Sequence, residues 1–167
     1  MLSVDGTNYK VPEQGLLFFS HKFGESGVRY EITLCLLTGD CVWVYRPFEY
    51  GPWSDINIFN HSLKHHLSPF ERVEADDGYV GGAPLHIKCL TSFTNPEETL
   101  FMQQRIRNRK ETINKRLKQW GILKQVYQYD IGEHSYVLRA ILVLIQTAIN
   151  NSKNFFLVDT VTHLMIN

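Results

Sequence analysis

The sequence predicts an α/β fold, a mixed sheet flanked by helices. Two observations carry this reading. Apolar residues alternate with period two through 28–37 and 41–45, which is the signature of half-buried strands. Two later segments, 95–120 and 133–150, carry apolar residues at helical spacing or on most sides, beyond the length of ordinary strands. A chain of 167 residues suits one such domain with a sizeable core. We place that domain over residues 1–150 and a C-terminal tail over 151–167.

The elements follow in order. Residues 2–5 form a short strand that ends in Asp5, with Gly6 and Thr7 turning the chain. The run 28–37, the turn Thr38-Gly39-Asp40 and the run 41–45 make an antiparallel hairpin. Gly51-Pro52 breaks the chain, and Ser54 caps a helix that continues through Leu67. Residues 72–75 form a strand that delivers Asp76 to a turn containing Gly78, and 86–89 are a further short strand. Asn95 caps a long helix with Pro96 in its first position and Glu97 and Glu98 in the first turn, where the helix dipole favours acids. Its apolar stripe is Met102, Ile106, Ile113, Leu117 and Trp120, its polar face Arg107, Glu111, Asn114 and Lys118, and Gly121 stops it. The final helix, 133–150, packs on the sheet.

Composition narrows the class. With 44% hydrophobic and 20% charged residues the chain is an ordinary globular protein and not a disordered one. Net charge is zero, yet residues 1–100 carry 7 Lys and Arg against 13 Asp and Glu, whereas residues 101–167 carry 10 against 4. Eight of those ten basic residues lie between Arg105 and Lys124. An acidic half beside a basic half suits a site that holds cations and a polyanion together; the simpler reading of the basic segment is a solvated helix. Cys35, Cys41 and Cys89 are odd in number, form no C-x-x-C pair and sit in apolar stretches, so they read as reduced and buried. The first residues lack the basic and apolar regions of a signal peptide, and the longest apolar run, 137–149, is too short to span a bilayer. The expected location is nuclear or cytoplasmic, without secretion or a membrane.

The order β-β-β-α-β-α-α, with acids at the ends of nonadjacent strands and on a late helix, is that of an RNase H-like fold. The acids stand in Val4-Asp5-Gly6-Thr7, Gly51-Pro52-Trp53-Ser54-Asp55, Asp76-Asp77-Gly78-Tyr79 and Arg107-Asn108-Arg109-Lys110-Glu111. Together with the segment Phe19-Ser20-His21-Lys22-Phe23, their order resembles the DDE-superfamily transposases of the PIF/Harbinger type from Val4 to about Ala148. The resemblance makes Asp5, Asp76 and Glu111 the catalytic acids and Asp55 an additional metal contact. Arg107 and Lys118 fit the family's pattern around the last acid, although Gln104 stands where the family has a tyrosine. Asp77 competes with Asp76, and the D-x-G-Y register favours Asp76.

The implied activity is that of a divalent-metal-dependent endonuclease and transposase that cleaves DNA strands and joins them. Mg²⁺ or Mn²⁺ takes hard oxygen ligands, and two such ions roughly 3.5–4 Å apart serve an in-line displacement at phosphorus without a nucleophilic side chain. Asp5, Asp55, Asp76 and Glu111 are the expected ligands. Arg105, Arg107, Arg109, Lys115 and Lys118, with neighbouring Lys110 and Arg116, are expected to bind DNA phosphates in a salt-sensitive way. Relatives carry a helical DNA-recognition region upstream. The chain starts almost on the first catalytic strand, so the expectation is an N-terminally truncated core: a fragment, a relic, or a protein whose recognition comes from a Myb-like partner. A homo-oligomer is compatible with this.

Each residue alone has a plainer reading. Asp before Gly forms turns, Asp55 complements a helix N-terminus, and Glu111 is an i,i+4 partner for Arg107 or Lys115. Only their joint order favours a shared metal site. His61, His65 and His66 read as a solvated helix face, because no Cys or further His motif completes a zinc site. Ser20-His21 and Asp130 form no recognisable triad, Gly81-Gly82 is a turn, and no glycine-rich phosphate loop occurs. The alternative function is a non-catalytic DNA-binding or protein-interaction module derived from a transposase.

Overall fold

In a computed structural model, which describes residues 2–79, 86–89, 108 and 110–151, the chain opens on strand β1 (Leu2–Lys10). The expected turn at Gly6 and Thr7 is absent. Strand β3 (Glu25–Cys35) pairs antiparallel with β1 along its whole length, from Leu2 opposite Cys35 to Lys10 opposite Gly27, and this ladder carries β1 straight through both residues. Asp5 therefore lies in mid-strand opposite Ile32 and not at a strand end.

The hairpin forms as expected. Strand β4 (Cys41–Val44) returns antiparallel to β3, and the turn between them is held by the Gly39 N–H donating to the Cys35 carbonyl at 2.8 Å. Two short strands not expected from the sequence, β2 (Phe19–Ser20) and β5 (Phe48–Glu49), also pair with β3. Strand β6 (Val73–Ala75) runs parallel to β1, and β7 (Ile87–Cys89) runs parallel to β6. Among the described residues the sheet is thus mixed, with the order β2-β3-β1-β6-β7 and with β4 and β5 against β3.

Helices cover both faces. Helix α1 (Asp55–His61) is capped by Ser54, whose hydroxyl accepts from the Asn57 N–H at 3.4 Å. It stops six residues earlier than expected. Ser62 leaves the helical conformation and donates its hydroxyl to Glu31, so the chain continues only as a 3₁₀ turn, Leu63–His66. Asn108 and residues 110–117 form the described part of α2, and the expected start of that helix at Asn95, with Met102 and Ile106, lies outside the described residues. Gly121 does not merely end it: a one-turn helix, α3 (Gly121–Lys124), begins there. Helix α4 (His134–Asn151) completes the described fold.

The period of β1 divides the core. Tyr9 on one side joins Tyr30, Ile32 and Leu34 of β3 in a cluster with Ile113, Leu117 and the buried stripe of α4. Val4 on the other side packs with Val73, Ala75, Phe59 and Leu63 under α1. Successive strand residues face opposite sides, so α2 and α4 lie over one face and α1 over the other. Ile113 and Leu117 fulfil their expected core role, whereas Trp120 is 41% exposed because the helix ends before it. Helix α4 buries Leu138, Ile141, Leu142, Ile145 and Ile149 but leaves Tyr136, Val143 and Leu144 exposed, so it is less enclosed than its composition indicates. Cys35 and Cys41 are free but only half-buried, and the side chain of Cys89 lies outside the described residues. Residues 152–167 of the tail and the Gly81-Gly82 turn lie outside them as well. Among the described residues no helix is long and apolar enough to cross a membrane.

Candidate acidic site

The parallel pairing of β1 and β6 sets two of the predicted acids side by side. Ser3 lies opposite Glu74, and two residues further along each chain stand Asp5 and Asp76, which repel one another electrostatically. Asp76 directly follows β6, in a tight turn where its Oδ1 accepts from the Gly78 N–H at 2.9 Å and its carbonyl from the Tyr79 N–H at 3.1 Å. The competing Asp77 starts a 3₁₀ turn with Gly78 and Tyr79, and its side chain lies outside the described residues.

Asp55 reaches the same region from the first turn of α1. A Cβ on Gly6 would collide with Asp55 Oδ1, and one on Gly78 would lie 3.2 Å from Asp55 Oδ2 and 3.0 Å from Asp76 Oδ1. The glycines after Asp5 and Asp76 therefore do more than permit turns. They leave the space into which the Asp55 carboxylate fits.

Burial dominates the electrostatics of the site. Burial raises the Asp5 carboxyl to about 6, and repulsion from Asp76 and Asp55 adds to this against the opposing attraction of Lys110. Burial also raises the Asp55 carboxyl, with Arg29 opposing and Asp76 reinforcing the shift. The Tyr79 hydroxyl beneath them is raised well above its ordinary value by burial and then by Asp55, Glu31, Asp5 and Asp76. Two ion pairs bear on these acids, with Arg29 Nη1 3.1 Å from Asp55 Oδ1 and Lys110 Nζ 3.8 Å from Asp5 Oδ1, and Lys22 also attracts Asp55.

The structure thus brings Asp5, Asp55 and Asp76 within electrostatic reach of one another. It does not bring Glu111 to them: Glu111 is exposed on α2, while its neighbour Lys110 is buried against Asp5. This corrects the reading of Lys110 as a phosphate contact, since a buried, ion-paired ammonium is not presented to a polyanion. Lys115 and Lys118 are exposed, as phosphate binding requires, and Arg105, Arg107 and Arg109 lie outside the described residues.

Three carboxylates are a hard-oxygen donor set of the kind Mg²⁺ or Mn²⁺ takes. Among the described residues no three acidic, His or Cys side chains are drawn together as a ready metal-ligand group. The pleat gives the reason. Asp5 faces α2, whereas Gly6, which adjoins Asp55, faces α1. On the α2 side a small cavity is lined by Ser3, Asp5, Thr7, Lys110 and Asn114 together with the aliphatic Ile32, Leu34 and Ile113. Ser3 is 1% exposed, and its hydroxyl has no hydrogen-bond partner among the described residues.

Arg29 is the residue that sequence reading missed. It lies in a β-rich run, where a charge signals only the polar side of a strand. Here that side is covered: Arg29 is 7% exposed, donates Nε to Asn8 Oδ1 at 2.8 Å and Nη1 to the Trp53 carbonyl at 3.3 Å, and stands over the rings of Phe23 and Tyr50. The other candidates stay structural. His61, His65 and His66 are exposed, with His61 against Trp53 and His66 against Trp43, and Asp130 caps a 3₁₀ turn through the Gly132 N–H at 2.8 Å.

No protein-family model matches the chain, and no curated protein or solved structure matches it either.

Proposed function

We propose that the chain is the catalytic core of a divalent-metal-dependent DNA endonuclease of the DDE transposase type, with an RNase H-like fold. The observation that carries the reading is that Asp5 on β1 and Asp76 just after the parallel β6, 71 positions apart in sequence, lie within electrostatic reach of each other and of Asp55, which is lodged against Gly6 and Gly78. A mixed sheet whose first strand is flanked by an antiparallel and a parallel neighbour supports the RNase H-like reading, because such a sheet lets distant acids converge at one edge.

On this reading Asp5, Asp55 and Asp76 would hold Mg²⁺ or Mn²⁺, and Glu111, which is exposed on α2, would join the set through a movement of α2 relative to the sheet. When bound, such ions would supply Lewis acidity for an in-line displacement at phosphorus. The chain's own part is positional. Arg29 fixes Asp55, the Gly78 N–H fixes Asp76, and exposed Lys115 and Lys118 hold DNA phosphates by charge. Recognition of particular DNA ends would come from a further region or from a Myb-like partner.

The test is Mn²⁺-dependent cleavage of duplex DNA by the purified chain and by Asp5→Ala, Asp76→Ala and Glu111→Ala. The reading expects each substitution to abolish cleavage while DNA binding persists. Cleavage that survives all three would sink the mechanism. If there is no cleavage and DNA binding responds only to changes at Arg107, Arg109, Lys115 or Lys118, the chain is a non-catalytic DNA-binding module instead.

A further inference from the structure

Lys110 belongs to the most basic segment of the chain, yet it is 8% exposed. Burying an ammonium is costly unless an opposite charge repays it, and the group placed to do so is Asp5 at 3.8 Å. That separation is an ion pair but too long for a hydrogen bond, so the two are held by charge without a fixed geometry.

The two cations of the site differ in how firmly they are held. Arg29 is fastened by Asn8, the Trp53 carbonyl, Asp55 and two aromatic rings. Lys110 sits on a flexible four-carbon stem and meets Asp5 at the edge of the cavity into which the unpartnered Ser3 hydroxyl opens. The pocket thus offers a carboxylate and a free hydroxyl oxygen, and the charge balancing the carboxylate is held by that ion pair without a hydrogen bond to Asp5.

We propose that Lys110 is the resident counter-ion of Asp5, and that a divalent cation binds at Asp5 by displacing the Lys110 ammonium toward solvent. The inference rests on the metal-site reading above and adds a regulatory element to it: the same helix that carries Glu111 carries a cation that competes for the site. In the metal-free protein Lys110 holds Asp5 in place. When the metal enters, the lysine becomes accessible.

Two measurements test this. Calorimetric titration of Mn²⁺ into folded wild-type, Lys110→Met and Asp5→Asn proteins should show roughly tenfold or greater tightening in Lys110→Met, because the ion no longer has to break the Lys110–Asp5 pair, and loss of binding in Asp5→Asn. Equal or weaker binding by a folded Lys110→Met protein overturns the proposal. Should that variant not fold, acetic anhydride labelling of the wild-type protein read by mass spectrometry decides the matter: acetylation of Lys110 should rise several-fold when Mn²⁺ saturates the site, and labelling unchanged by bound Mn²⁺ overturns the proposal. The failure of the underlying reading looks different. There, no Mn²⁺ binds to folded wild-type protein or to folded Lys110→Met, and the inference falls with it.

Discussion

The Arg29 guanidinium, buried on β3, lies 3.1 Å from the Asp55 carboxylate at the start of α1 and ties the sheet to the helix that covers it. The same Nη1 donates to the Trp53 carbonyl, so one side chain positions both Asp55 and the turn that leads into it. Removing one partner of such a pair leaves a largely buried charge without compensation.

Arg29→Ala should therefore destabilise the fold by about 3 kcal/mol, measured by urea unfolding, and Arg29→Lys by less. Lysine restores the charge but cannot reproduce the fork that reaches Asn8, Trp53 and Asp55 together. Equal stability of the alanine variant and wild type would show that the pair contributes nothing.

Gly6→Ala tests the close approach of Asp55 to β1. The new methyl group meets Asp55 Oδ1, so either the carboxylate or the strand must shift. We expect a loss of about 1–3 kcal/mol in thermal or urea unfolding, together with weaker Mn²⁺ binding if the site holds metal. An unchanged unfolding midpoint would place Asp55 elsewhere.

Glu31 gives a pH dependence. It is 1% exposed, accepts from Ser62 and Trp43, and burial raises its carboxyl to about 7. The folded state thus holds a proton that the unfolded chain releases near 4.5, and this group's contribution to stability is complete below that pH and lost as pH rises to about 7. His134 acts in the opposite sense: burial lowers it to about 4, so its contribution is lost as pH falls from 6.5 toward 4. Comparing Glu31→Gln with wild type cancels the histidine term. The variant should gain about 3 kcal/mol relative to wild type between pH 4.5 and pH 7, and a difference constant with pH would refute the assignment.

The basic segment separates surface from core within one helix. Lys115 and Lys118 are exposed, so Lys115→Ala with Lys118→Ala should leave unfolding within about 0.5 kcal/mol of wild type. On the DNA-binding reading the double variant should also lower the slope of log affinity against log salt by about 2. Leu117, fully buried between them, behaves differently: Leu117→Ala should cost about 2–5 kcal/mol. A salt slope unchanged by the lysine pair would remove this surface from the DNA interface.

The period of the sequence by itself determined much of this protein. Alternation through 28–37 and 41–45, with Gly39 between, was enough for the β3–β4 hairpin, and Ser54 before an apolar run was enough for the start of α1. These features are local, set by side-chain direction and by the backbone groups a cap satisfies. The spacing of Ile113 and Leu117 likewise marked the buried side of α2. Only the tertiary structure decided the rest, because it depends on partners distant in the chain. Asp5-Gly6-Thr7 has the composition of a turn, but pairing with β3 overrides that propensity and keeps the strand extended. Arg29 and Glu31 look like the solvent side of a strand until α1 covers them. Lys110 looks like one more surface cation until the packing of α2 sets it against Asp5 and leaves Glu111 outside. Charge in a sequence has a sign but no location, and burial, which gives that sign its consequences, is a property of the packed chain.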